Sequence, residues 1–318
     1  GGESVAVGKL PRITNIWSRI VNEAGGGWET QVVIEADTPF TYTLPNSTGP
    51  AVLHIDTGAR AVMPEGAIPV YDGLLKTVTL QQIDAGTARI ILEREHPGRY
   101  AVAMCNTLPA RLIIRLDRAP LAAILSAKKV MIDPGHGGSD PGTVGYTGTL
   151  EKDIALAISK KLFSLFQQAG AYVLLTRETD RELGDPQYPG EDSDLRRRVE
   201  IVNAAGADVV VSVHLNHFAD RAEYGAQVFY QRGSPEGKRL AECIQPRLNA
   251  FLIDSGRQAL PGDFYLCRNA RAPAVIVEVG FLSHPGEERK LKEEDYQMRA
   301  AWAIYTGVAR YFHVIQES

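Results

Sequence analysis

The sequence predicts an α/β domain with a mostly parallel twisted sheet and helices on both faces, preceded by a small all-β sandwich domain. Three observations carry this reading. From about residue 11 to 120, short alternating apolar and polar runs are separated by turn residues, as in strands with one buried face. Beyond residue 129, short β-branched runs alternate with longer segments whose apolar residues recur at helical spacing, the order of parallel strands joined by crossover helices. The first region also repeats itself: QVVIE at 31–35 corresponds to RIILE at 89–93, Pro39 to Pro97, Tyr42 to Tyr100, and VLHID at 52–56 to IIRLD at 113–117. Two similar halves imply a two-sheet sandwich with pseudo-twofold symmetry.

In order, the first domain (1–120) has strands expected at 13–18, 29–36, 51–57, 77–82, 88–93 and 111–117. A connector is expected at 121–128. In the second domain (129–318) strands are expected at 129–132, 171–176, 208–214, 226–230 and 274–279, with helices at 150–168, 193–204, 235–251 and 295–313. In such a sheet the chemistry belongs at the carboxyl ends of the strands.

With 318 residues, 44% of them hydrophobic and 23% charged, the chain is long enough for two domains with ordinary cores. A net charge of -4 with interspersed signs favours neither nucleic acid nor an anionic membrane as partner. No apolar run is long enough to span a membrane, and the opening Gly1-Gly2-Glu3-Ser4 lacks the basic and apolar segments of a secretory signal. Cys105, Cys243 and Cys267 have no CxxC spacing and read as small core residues.

Val130-Met131-Ile132 stops at Asp133-Pro134-Gly135, so a buried strand delivers His136 into a glycine-rich loop. Glu151 follows in the first turn of the next helix. Asp140 argues against a pyrophosphate site, and no Gly-Lys-Ser/Thr follows for a phosphate loop. A metal site and a plain strand-to-helix turn remain on this stretch alone. Two further strands end in chemically capable residues, His214 at 214 and Glu278 at 278, while His54 and His96 stand alone. Since neighbouring parallel strands lie about 4.8 Å apart, His136, Glu151 and His214 can share one metal ion. Two imidazoles and one carboxylate leave the fourth position of a tetrahedral Zn²⁺ for water, the arrangement of catalytic zinc. Glu278 is then the spare carboxylate that moves the proton.

The segments IDPGHGG at 132–138, LEKD at 150–153, LRRRVEIVN at 195–203, SVHLN at 212–216, 225–230 and EVGFLS at 278–283 resemble the zinc-dependent N-acetylmuramoyl-L-alanine amidases of the Amidase_3 type, closest to the branch that matures spore-cortex peptidoglycan. The resemblance implies one zinc ion per chain on His136, Glu151 and His214, and Glu278 as the catalytic carboxylate. It also implies peptidoglycan as substrate, cut between N-acetylmuramic acid and L-alanine, and an extracytoplasmic, cell-envelope location. The first region resembles the AMIN domain, a peptidoglycan-targeting module. His217 stands where the family has a small residue, and reads as a rim residue. The 178–192 link is short, without an obvious inhibitory plug, and no activating protein partner is evident. Asn216 is a candidate to orient the site. The triplet Arg196-Arg197-Arg198 fits a solvated helix face with ion pairs, with Arg198 the candidate to reach substrate carboxylates. The competing readings are a zinc peptidase acting on cell-wall peptides and a catalytically inactive wall-binding protein.

Overall fold

A computed structural model of the chain describes residues 8–23 and 27–317; the opening Gly1-Gly2-Glu3-Ser4 lies outside the described residues. Two compact units divide it, 1–123 and 124–318.

The first unit contains β1 (Arg12–Glu23), β2 (Gly27–Ala36), β3 (Tyr42–Thr43), β4 (Val52–Thr57), β5 (Arg60–Ala61), β6 (Gly66–Pro69), β7 (Leu75–Asp84), β8 (Thr87–Arg94), β9 (Tyr100–Cys105) and β10 (Ala110–Asp117). They form two five-stranded sheets, ordered β5-β1-β2-β10-β9 and β3-β4-β8-β7-β6. The repeat seen in the sequence maps onto this order. β2 and β8 are the central strands, and β10 and β4, the second matched pair, lie beside them, each in the sheet of the opposite half. Each sequence half therefore contributes a hairpin to one sheet and two strands to the other, and the first half adds the short edge strands β5 and β6. Ile34, Leu112 and Ile114 are fully buried on one side, and Ile55, Ile90 and Leu92 on the other. The strands β3, β5, β6 and β9 were absent from the sequence expectation.

A buried ion pair ties this unit together. Arg118, just after β10, lies 3.2 Å from Asp72 Oδ2 and donates to the Asp72 carbonyl (2.8 Å) and to Thr30 Oγ1 on β2 (2.9 Å). Asp72 Oδ1 accepts the amides of Leu74 and Leu75 at the start of β7, at 2.9 and 2.7 Å. Every oxygen of the carboxylate is filled, the condition for a buried charge to be tolerated.

A helix, α1 (Ala119–Leu125), occupies most of the expected connector. The second unit follows as β11 (Lys129–Pro134), α2 (Glu151–Gln168), β12 (Tyr172–Leu175), α3 (Glu191–Ala205), β13 (Val209–Asn216), β14 (Gln227–Gln231), α4 (Pro235–Phe251), β15 (Leu260–Gly262), α5 (Tyr265–Asn269), β16 (Ala274–Phe281), α6 (Pro285–Leu291) and α7 (Glu294–Glu317). Its sheet runs β12-β11-β13-β16-β14-β15, parallel throughout except for β14 against β16. The near-continuous apolar runs of β11, β13 and β16 follow from burial on both faces. On one face, Met131, Val210 and Ile276 pack with Val202 of α3 and with Leu266 and Cys267 of α5. The other is covered by α2, α4 and α7.

In α2 the apolar residues Ile154, Ile158, Leu162, Leu165 and Phe166 recur at helical spacing and are buried. The helix opens with Glu151 and Asp153, favourable at its positive end. Ser234 caps α4 by accepting the Gly237 amide, and Pro235 begins it. α7 is buried nearly all round, including Trp302, Tyr305 and Phe312, because it packs against both α2 and α4. All three cysteines are free; Cys267 is buried, but Cys105 and Cys243 are only partly so, which corrects the core reading for those two. No helix among the described residues is long and apolar enough to cross a membrane.

Replacing Arg118 by Met should lower the stability of the first unit by roughly 3–5 kcal/mol, because Asp72 is left as a buried, uncompensated charge. Denaturant unfolding of the full chain followed by tryptophan fluorescence checks this; an unchanged midpoint would show that the pair contributes little.

Candidate metal centre and its supporting loops

β11, β13 and β16 are neighbouring parallel strands, and their carboxyl ends carry the expected residues to one point. The chain leaves β11 at Pro134 and turns so sharply that His136 takes a left-handed backbone, φ +59°. His136 Nε2 lies 3.1 Å from Glu151 Oε1, and His214 Nδ1 lies 2.9 Å from the same oxygen. The rings of His136 and His214 meet edge to face, with centroids 5.0 Å apart. One ligand atom from each of His136, Glu151 and His214 lies within 4.8 Å of the other two. Two glycines make this closeness possible. A Cβ on Gly135 would lie 2.3 Å from the His214 ring, and one on Gly142, itself at φ +65°, would strike Glu151 and His136 at 2.6 Å.

His136 and Glu151 are oriented from behind. His136 Nδ1 donates to Asp140 Oδ2 at 2.7 Å, which turns Nε2 toward Glu151. Glu151 accepts the Leu215 amide on Oε1 (3.0 Å) and the Thr143 amide on Oε2 (2.8 Å). Burial opposes charge on His136, but the Glu151 and Asp140 carboxylates outweigh it and push its pKa up to about 9. Burial likewise opposes the charge on Glu151; its hydrogen bonds with His136 and His214 prevail and hold its carboxyl far below the usual range. Two imidazoles crowded onto one carboxylate oxygen are a set of nitrogen and oxygen donors that a cation would satisfy. The chemistry of the donors fits a divalent metal.

Glu278 stands beside them, opposite His214 in the register of β13 and β16. The pairing slips just beyond, between His214 and Asn216 on β13, an irregularity of the kind that re-aims side chains next to active sites. Glu278 Oε2 is buried and has no hydrogen-bond partner among the described residues. Burial raises the Glu278 pKa to about 7, with His214 working against the shift. A cavity of about 270 Å³ opens onto Glu278, His214 and His136, and is closed by Phe264, Tyr265 and Ile276. A larger open depression of about 740 Å³, lined by Tyr188, Arg196 and Arg197, contains none of these groups and is not where the chemistry lies.

The loops around the triad are fastened by α6. Glu288 Oε1 accepts the amide (2.9 Å) and hydroxyl (2.6 Å) of Thr147, while Glu287 Oε2 accepts the amides of Gly225 and Phe281, both at 3.0 Å. Between the two loops, the Arg221 guanidinium sits 4.5 Å from the centre of the Tyr146 ring.

Three sequence candidates stand apart from the triad. Arg198 lines the cavity beside Glu278, yet it is 2% exposed and its guanidinium is bound to Asp133, Asp194 and two backbone carbonyls, because on a helix only one of three consecutive arginines can face the sheet. Asn216 accepts the His217 amide at 2.8 Å, and His217 is exposed. Asp133, Arg177, Asp140 and the α6 glutamates were missed. A charged residue directly after a strand, as in Thr176-Arg177, was the one local signal available.

Such a donor set at the carboxyl edge of an open α/β sheet is that of a hydrolase able to hold a single metal ion. The N-acetylmuramoyl-L-alanine amidase family, Amidase_3, matches residues 130–310, and the chain belongs to this family of peptidoglycan hydrolases. It is 38% identical over 199 residues to the germination-specific N-acetylmuramoyl-L-alanine amidase of Bacillus subtilis, covering 61% of this chain and 83% of that relative. The CwlD amidase of Clostridioides difficile, solved in complex with the GerS lipoprotein, shares 39% identity at a TM-score of 0.57, over 59% of this chain and 99% of that one. The catalytic domain of CwlV from Bacillus (Paenibacillus) polymyxa var. colistinus shares 34% at 0.51, over 59% and 99% respectively.

Beneath the triad, Asp133 is held at about 2; full burial opposes its charge, and Arg198, Ser212 and Thr176 outweigh that. Its folded pKa is below the unfolded one, so its contribution is present above about pH 4 and lost as pH falls toward 2, on the order of 2 kcal/mol. An Asp133→Asn variant should be less stable at neutral pH and show a flatter stability curve between pH 4 and 2. Chemical denaturation at a series of pH values reads both; parallel curves would mean Asp133 is not the titrating group.

Proposed function

We propose that His136 Nε2, Glu151 Oε1 and His214 Nδ1 hold one zinc ion, and that the enzyme hydrolyses the amide between the lactyl group of N-acetylmuramic acid and the first L-alanine of the stem peptide. The observation that carries this reading is the convergence of the three donors beside a buried carboxylate oxygen that lacks a partner. Zinc, when bound there, would supply Lewis acidity toward the amide carbonyl and bring the pKa of a water toward neutrality. Glu278 Oε2 takes the proton of the attacking water and returns it to the departing alanine nitrogen. A pKa near 7 suits both halves of that transfer, since the group must be ionised first and protonated later. Asp140 keeps the His136 ring turned toward the cation, and the paired amides on Glu151 keep its carboxylate from swinging away.

The first unit, with its two strand-exchanged sheets, we read as an AMIN-like sandwich that holds the enzyme on peptidoglycan. Asn216 and His217 shape the rim. The site of action is outside the cytoplasm, in the cell envelope, where the substrate lies, and the likeness to a germination amidase favours cortex peptidoglycan.

Glu278→Gln should keep its fold and zinc content and lose about 10²–10⁴-fold in turnover. His136→Ala and His214→Ala should lose metal together with activity. Metal analysis of purified variants alongside release of stem peptide from muropeptides checks this; full occupancy in either histidine variant would refute the ligand set. A fragment beginning at Ala119, so that α1 stays whole, should retain its rate on soluble muropeptides and be slower on intact sacculi, because tethering raises effective concentration at an insoluble substrate. Equal rates on sacculi would remove the targeting role.

A further inference from the structure

His136 is one of two non-glycine residues with positive φ among those described, a backbone that L-residues adopt only at a cost. Something must hold it. β11 ends at Pro134, so the carbonyls that follow have no ladder to join. Two guanidiniums from different elements meet them instead. Arg177, 1% exposed, donates to Pro134 O (3.1 Å) and Gly135 O (2.8 Å), and also to Lys152 O (2.9 Å) and Thr179 O (3.1 Å). Arg198 donates to Pro134 O (2.7 Å) and to His136 O itself (2.6 Å), while its other N–H groups reach Asp133 Oδ1 (2.7 Å) and Asp194 Oδ2 (2.5 Å).

We infer that Arg177 and Arg198 are positioning residues for the metal centre: together they fill the carbonyls of Pro134, Gly135 and His136 and lock the left-handed turn that presents the His136 imidazole. Arg177 does more, because Lys152 directly follows Glu151, so one guanidinium fixes the His136 loop and the start of the Glu151 helix relative to each other. Its four acceptors among the described residues are backbone carbonyls, so it serves geometry and not charge pairing. A lysine would keep the charge but present a single point donor in place of a planar fork, and could not span three carbonyls. The inference rests on the metal reading above.

The test is zinc affinity of the folded metal-free protein, by competition with a chromophoric chelator, with the folded fraction measured by near-ultraviolet circular dichroism. Arg177→Lys and Arg198→Lys should bind zinc about 10- to 100-fold more weakly than wild type at an equal folded fraction. Arg197→Met, on the exposed side of α3 and paired only with Glu200, should match wild type. Asp194→Asn, which loosens Arg198 at Nε and leaves the buried Asp133 pair in place, should show a smaller loss in the same direction and serves should a lysine variant fail to fold. Wild-type affinity in the folded variants would overturn the inference while leaving the metal reading intact. A wild-type protein without zinc affinity would overturn that reading and the inference with it.

Discussion

The contact on which the catalytic unit depends is the buried pair of Asp133 and Arg198. Asp133 is the penultimate residue of β11, and its two oxygens receive Ser212 from β13, Thr176 from beyond β12, and Arg198 from α3, each at 2.7 Å. Three strands and a helix thus meet on one carboxylate. Taking two charges out of water is costly, and the arrangement is tolerable because both carboxylate oxygens are hydrogen-bonded. What it confers is position: the same guanidinium that neutralises Asp133 continues outward to the carbonyl of His136. The polar core of the sheet and the site at its edge are one network.

A second set of fixings acts from the opposite side. α6 follows directly on β16, and its adjacent glutamates face different loops, Glu288 toward Thr147 and Glu287 toward Gly225. Since β16 also carries Glu278, the proposed proton carrier and the two loops that α6 fastens are referenced to a single strand and the turn after it. Burial raises the Glu287 pKa even though two backbone amides bind it. One of its oxygens stays buried without a partner among the described residues, and the structure offers no physical account of it.

How much of this the sequence revealed follows from the range of each interaction. His136, His214 and Glu278 stand where an apolar run ends, so a local pattern exposes them, and Glu151 was found because it opens an amphipathic helix. The long strands and helices were read for the same reason. β3, β5, β6 and β15 are two to four residues long and carry no measurable period. The burial of Arg198 was not legible for a different reason. Its triplet is uniformly basic, yet successive residues point about 100° apart on a helix, so which of them turns inward is decided by Asp133, 65 positions away. Arg177 is equally silent, since its partners are carbonyls that leave no mark on the sequence. Positions that touch a reacting group show chemistry, while positions that hold those groups show only distant complementarity.

The exchange of strands in the first unit has a bearing on how the chain acquires its structure. β4 cannot be paired on its inner side until β8 exists, and β2 lacks its inner neighbour until β10 has been made. During synthesis the first half therefore emerges with the inner edges of β2 and β4 open; the sheet around β8 cannot close before residue 94 leaves the ribosome, nor the sheet around β2 before residue 117. Such reliance on distant pairing belongs to slow, all-or-none folding. It also means that one repeat alone would leave β2 and β4 each without the neighbour that the other repeat supplies.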